Sequence, residues 1–146
     1  MDAATIDRYN RLAAEWIEAS APESIDLAQR LRADLRDDHR AVDLGCGPGW
    51  HLPLLADDTI GLDASGAMAT EAKQRTGHPV IHADLEHLPF RSQSVDLVWA
   101  AKSYVHLPRK RVPLAFHDLH RVIRPGGRAA LTLFLSDRED DIGGKK

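Results

Sequence analysis

The sequence predicts an α/β domain: a doubly wound, mostly parallel five-stranded sheet of order 3-2-1-4-5, with helices on both faces and further helices at its N-terminus. Three observations predict it. Short apolar runs take turns with amphipathic stretches of helical period, as strand–helix–strand units do. The apolar runs lack a polar/apolar alternation, as expected of strands buried on both faces. The run VDLGCGPGW, residues 42–50, sets Gly45, Gly47 and Gly49 directly behind the first apolar run. In such a sheet, ligands lie beyond the carboxyl ends of the strands where the strand order reverses.

The elements follow in order. Residues 5–19 form a helix with Ile6, Tyr9, Leu12, Ala13, Trp16 and Ile17 on one face. Pro22 and Ser24 interrupt it, and residues 23–37 form a second helix with Ile25, Ala28, Leu31 and Leu35 inward. RAVDL, 40–44, is the first strand; a short helix over about 49–56 ends at Asp57 and Asp58. TIGLD, 59–63, is the second strand, and helix 65–76 stops at Gly77. PVIHAD, 79–84, and SVDLVWAA, 94–101, are the third and fourth. Helix 109–123 carries Val112, Ala115, Phe116, Leu119 and Val122 on one stripe, and RPGG, 124–127, breaks it. RAALTLFL, 128–135, is the fifth strand. Residues 1–38 therefore read as N-terminal helices serving as cap and packing, 39–136 as the ligand-binding core and 137–146 as a frayed polar tail.

The chain has 146 residues, 43% of them hydrophobic and 28% charged, enough for one core and against disorder. A net charge of −3 gives no general pull toward nucleic acid or an anionic membrane, and Arg109, Lys110 and Arg111 read as a solvated face. Cys46 is the single cysteine, so no internal disulfide forms, which fits a reducing cytoplasm. The opening MDAATIDRYN lacks the apolar core of a signal peptide, and no run reaches membrane-spanning length.

Three clustered glycines serve a sharp strand-to-helix turn and a ligand lying against the backbone; one glycine alone would indicate only the turn. Asp63 ends the second strand, where a carboxylate can accept from both hydroxyls of a ribose. Its plainer role is a helix N-cap, which Ser65 can fill instead. Asp84 ends the third strand, to accept from the exocyclic amine of an adenine or merely to close the strand. The dinucleotide pattern G-x-G-x-x-G wants glycine at Trp50, so the spacing from Asp43 to Gly49 is D-x-G-x-G-x-G.

That pattern resembles the first motif of class I S-adenosylmethionine-dependent methyltransferases, in VDLGCGPGWHLPLL. IGLDASGAMATEA resembles the second motif, HADLEHLPFRSQSVDLVWA the third and fourth, and LHRVIRPGGRAALTL the entry to strand five. The resemblance covers about residues 40–135 and implies a Rossmann-like methyltransferase with S-adenosyl-L-methionine as cofactor. It implies that Gly45 and Gly47, with Gly49 in the same loop, pass along the cofactor's methionine part, and that Asp43 orients the loop through the cofactor's amino group. It places Asp63 on the ribose, Ala64 and Met68 beside the adenine, Asp84 and the Leu85 backbone on the adenine edge, and Ala100 and Ala101 near the sulfonium. Met68 at helical spacing is also an ordinary core residue.

A general base is needed only where the nucleophile carries a proton of high pKa. Lys102, Tyr104 and His106 follow strand four, and His106 is the candidate; a loop histidine bonded to backbone is the plain reading. Tyr9 and Trp16 are expected to dock their helix rather than to form a lid. His117 and His120, lacking a third ligand, give no metal site, and Cys46 is a packing residue.

The expected partner is a small-molecule methyl acceptor, with neither membrane nor nucleic acid. The family's sheet usually continues into a hairpin after strand five. Its lack here predicts, in order, a fragment, an edge covered by a dimer or partner, or a non-catalytic cofactor-binding or sensory module. A NAD(P)-dependent oxidoreductase is the third reading, opposed by Trp50.

Overall fold

The computed structural model describes residues 1–134. The expected tail, 137–146, lies outside them, as does Leu135 of the expected fifth strand. Five strands, β1 (Ala41–Leu44), β2 (Ile60–Asp63), β3 (Val80–His82), β4 (Val95–Ala101) and β5 (Ile123–Thr132), form one sheet. Its order is β3-β2-β1-β4-β5, the order predicted, and every pair is parallel. The helices are α1 (Ala3–Ala19), α2 (Ile25–Ala33), α3 (Leu52–Leu55), α4 (Gly66–Thr76) and α5 (Val112–Val122).

The central strands β1 and β4 are buried on both faces, which is why they read as apolar runs. Toward α5, Val42, Leu44, Leu62 and Val98 pack with Ala115, Leu119 and Val122. Toward α2 and α3, Ala41, Leu97 and Trp99 pack with Ala28 and Leu55. Each fully buried Val or Leu side chain among them contributes about 1.5–3 kcal/mol by leaving water.

Local signals set the helix ends. Ser65 caps α4, its Oγ accepting from Met68 N at 3.2 Å, and Gly77 closes it with φ +72° and a bond to Lys73 O. Asp2 caps α1 by accepting from Thr5 N at 2.9 Å.

Two differences from the sequence-based expectation have physical causes. The RPGG segment bulges within β5: Val95 pairs with Ile123, and the register resumes at Leu97 with Arg128. Arg124 within the bulge reaches the buried Asp96 at 3.1 Å, holding the bulge to the start of β4. The face of α1 does not enter a core: none of its residues is buried, and Leu12 and Trp16 are exposed. The helix lies over the carboxyl end of the sheet and packs on α4.

Candidate active site

A cavity of about 560 Å³ opens at the carboxyl ends of β1 and β4. Its floor is the glycine loop, one wall is the start of α4, the other is the segment after β4, and its roof is α1.

The floor is shaped by close approach of two strand ends. Ser103 donates from Oγ to Leu44 O at 2.5 Å, tying the chain after β4 to the end of β1. A Cβ on Gly45 would collide with Ser103 Oγ and stand 2.6 Å from its Cβ, at φ +72°. Gly47, at φ +52°, instead lines the cavity: a Cβ there would make ordinary contact with the Trp16 ring, at 3.6 Å. The backbone of Gly47 is therefore bare toward the cavity.

Two carboxylates stand behind the loop. Asp63 Oδ2 accepts from Gly47 N and Oδ1 from Ser65 N, both at 2.8 Å. Each oxygen keeps a further acceptor position. Asp43 lines the same cavity, is 1% exposed, and its Oδ2 has no hydrogen-bond partner. Burial, and then the charge of Asp63, push the Asp43 carboxyl well above the usual carboxylate range. Burial raises Asp63 as well, against the two backbone donors that lower it. A buried, unpartnered carboxylate is costly, and a cationic donor in the cavity would relieve it. Cys46 packs against Leu52 and Ala72, and burial pushes its thiol up, which makes it unreactive packing.

The wall after β4 carries His106 and Lys102. His106 sits in a 3-10 turn, Tyr104–His106, with Nε2 2.9 Å from Tyr9 Oη on α1. Burial, and then Arg8, lower His106 below an ordinary histidine, while burial raises the Tyr9 phenol. A neutral imidazole therefore faces a protonated phenol. Lys102 has φ +56°, and its Nζ pairs with Glu23 at 2.6 Å. A left-handed backbone costs a residue with a side chain about 1–2 kcal/mol. A half-exposed ion pair returns about 0–1 kcal/mol. Glu23 is anchored by its carbonyl, which accepts from His51 Nε2 at 2.7 Å.

The roof is fastened by polar contacts. Asn10 Oδ1 accepts from Ser65 Oγ at 2.7 Å, and Trp50 Nε1 donates to Ser20 Oγ at 3.0 Å.

Of the residues singled out in the sequence, Asp43, Gly45, Gly47, Asp63, Met68 and His106 meet at this cavity. Gly49, Ala64, Asp84, Leu85 and Ala100 do not line it. A Cβ on Gly49 would press on Thr76 and Ala72 of α4, so this glycine serves loop–helix packing. Ala64 is buried behind Asp63, its carbonyl accepting from His82 Nε2 at 2.9 Å. Leu85 and Ala100 belong to the core, and Ala101 lines the cavity in place of Ala100. Asp84 is engaged by the Met1 ammonium and by Glu86 N. Tyr104 is buried in the core, edge-on to Phe116 at 5.2 Å. His117 and His120 are exposed on α5, and no His, Cys, Asp or Glu cluster suited to a metal occurs among the described residues.

Tyr9 and Trp16, expected to dock α1, also line the cavity, and Tyr9 docks the helix through its bond to His106. Their spacing of two helical turns on one face was the available signal; the pattern shows a face but not what it faces. Glu23, Trp50 and His51 carried no comparable signal.

The family model described as "Methyltransferase domain" matches residues 42–131. The chain is 30% identical over 112 residues to methyltransferase GfsG of Streptomyces halstedii, covering 68% of this chain and 39% of that protein. It is 31% identical over 130 residues to the malonyl-[acyl-carrier protein] O-methyltransferase of Legionella pneumophila, covering 83% of this chain and 44% of that one. Among solved structures, the YcgJ protein of Bacillus subtilis superposes with a TM-score of 0.66 at 26% identity, covering 74% of this chain and 49% of that chain. The chain thus spans less than half the length of these relatives.

Proposed function

The chain belongs to this family of methyltransferase domains, and from that premise we propose that it transfers the methyl group of S-adenosyl-L-methionine to a small-molecule acceptor, in the cytoplasm. The observation that carries the reading is the buried Asp43 carboxyl, its Oδ2 without a hydrogen-bond partner, at a cavity whose floor is the backbone of Gly47. A ligand with an ammonium group and a long polar body fits that floor. When bound, S-adenosyl-L-methionine supplies a methyl group already activated by its sulfonium.

The chain's own residues would do the following. Asp43 would receive the cofactor's ammonium, and the Gly45–Gly47 backbone would lie along its methionine part. Asp63, whose oxygens each keep an acceptor position, would take the ribose hydroxyls, and Met68 would lie beside the adenine. The α1 roof would exclude water, through Ile6, Tyr9 and Trp16. His106, kept neutral by burial, would accept the acceptor's proton at a ring nitrogen. Tyr9 would fix the orientation of the ring through its bond to Nε2.

The malonyl-carrier enzymes among its relatives and the geranyl diphosphate C-methyltransferase among its structural neighbours act on dissimilar acceptors, so the acceptor is not carried over from them. The test is incubation of the protein with methyl-labelled cofactor and a metabolite extract. A labelled small product is expected, formed about a hundredfold more slowly by His106→Ala. Cofactor binding with no labelled product would leave a binding module in place of an enzyme.

A further inference from the structure

Resting on the methyl-transfer reading, we propose that the acceptor is a small carboxylic acid whose carboxylate takes the place of Glu23 on Lys102. The cavity is polarised. Asp43 and Asp63 make its floor acidic, and Lys102 is the only Lys or Arg side chain on its wall among the described residues. The two histidines on the wall, His51 and His106, are both shifted toward neutrality by burial. A ligand that is cationic at the floor therefore leaves room for an anionic group at Lys102.

The position of Lys102 is imposed by its surroundings. Its backbone N–H donates to Thr132 O and Thr132 Oγ1, both at 3.1 Å, and its φ of +56° is one that glycine adopts at less cost. The half-exposed pair with Glu23 returns less than this conformation costs, so that pair alone does not account for a lysine here. Strained side-chain-bearing residues of this kind gather at ligand sites.

Glu23 is built as a displaceable counter-ion. Its side chain is 64% exposed, while its carbonyl is pinned by the buried His51. The carboxylate can swing into water without moving the chain. Both Glu23 oxygens approach Nζ, at 2.7 and 2.6 Å, so the structure already displays a carboxylate seated on this ammonium. A single lysine suits a monoanion; the Met1 ammonium, also at this cavity, is already held by Asp84 and Glu86, so a phosphate dianion would lack a second cation to share and would face the acidic floor. The Phe134 ring, 5.6 Å from Nζ, and Trp16 give the acceptor's body an apolar flank. His106 on the same wall suits a hydroxyl or amine elsewhere on that acid, as the nucleophile.

The experiment is a titration of the full chain, loaded with S-adenosylhomocysteine, with acetate, acetamide and inorganic phosphate, followed by amide NMR shifts. Acetate should give saturable shifts at Lys102 and Ser103, and acetamide none. Glu23→Gln should bind acetate about fivefold more tightly, because the internal competitor is gone. Lys102→Arg should keep the response and Lys102→Gln should lose it, while both retain S-adenosylhomocysteine and a dispersed spectrum. Equal response to acetamide, tighter binding of phosphate, or an unchanged response in Lys102→Gln would overturn the proposal, as would a lack of acetate response in Glu23→Gln. Failure of S-adenosylhomocysteine itself to bind would instead strike the methyl-transfer reading.

Discussion

Asp43 is the residue on which the site turns. Its carboxyl is held well above the ordinary value of 3.8, by burial first and by Asp63 second. The folded state thus keeps its proton to a higher pH than the unfolded chain does. The stability this contributes is complete below the unfolded pKa and is lost as pH rises through the folded one. Asn at this position carries no charge and has no such loss. Across the pH range above 3.8, Asp43→Asn should therefore gain stability relative to the parent protein as pH rises, in the ligand-free state. The gain is about 1.4 kcal/mol for every tenfold by which folding tightens the carboxyl's hold on its proton. Urea titrations across that range check it, and a pH-independent difference would contradict it. The same variant should bind S-adenosylhomocysteine about tenfold more weakly, since the ammonium loses its counter-charge. Asp63→Asn tests the neighbouring carboxylate differently. Both Asp63 oxygens accept from backbone N–H groups, so an amide must turn its NH2 toward one of these donors. A loss of about 1–3 kcal/mol in urea stability is expected, and a neutral effect would show that the loop does not depend on these bonds.

At the scale of elements, the turn from β1 into α3 leaves no room for a side chain at Gly45. Gly45 and Gly77 share a φ of +72°, yet a Cβ on Gly45 meets Ser103 while a Cβ on Gly77 meets nothing within 4 Å. An alanine at either position must adopt the same positive φ, so the difference between Gly45→Ala and Gly77→Ala reports chiefly the collision. Gly45→Ala should be less stable by at least about 2 kcal/mol more than Gly77→Ala, as overpacking of a rigid site is. Equal losses in thermal or urea unfolding would mean that the β4 end moves aside freely. The elements themselves were largely legible in the sequence. Strands buried on both faces are written as apolar runs, and Ser65 and Gly77 mark the ends of α4. What was not legible depends on distant partners. RPGG breaks a helix by any local rule, yet the buried Asp96 holds it as a bulge inside β5. Nothing local marks Lys102 for a left-handed backbone, since that conformation follows from its bonds to Thr132.

For the whole molecule, the sheet order brings the ends of β1 and β4 together, and α1 closes the space above them. The motif residues on those strand ends were readable because the topology converges there. The roof was not, because an apolar stripe on α1 is the same whether it faces a core or a cavity. No helix among the described residues is long and apolar enough to cross a membrane. The acidic, side-chain-poor floor is expected to receive an adenosyl amino acid and not a dinucleotide. Parallel calorimetric titrations with S-adenosylhomocysteine and with NAD test it most directly. Micromolar binding of S-adenosylhomocysteine, about −8 kcal/mol, and no heat from NAD are expected. Heat from NAD with none from S-adenosylhomocysteine would contradict it.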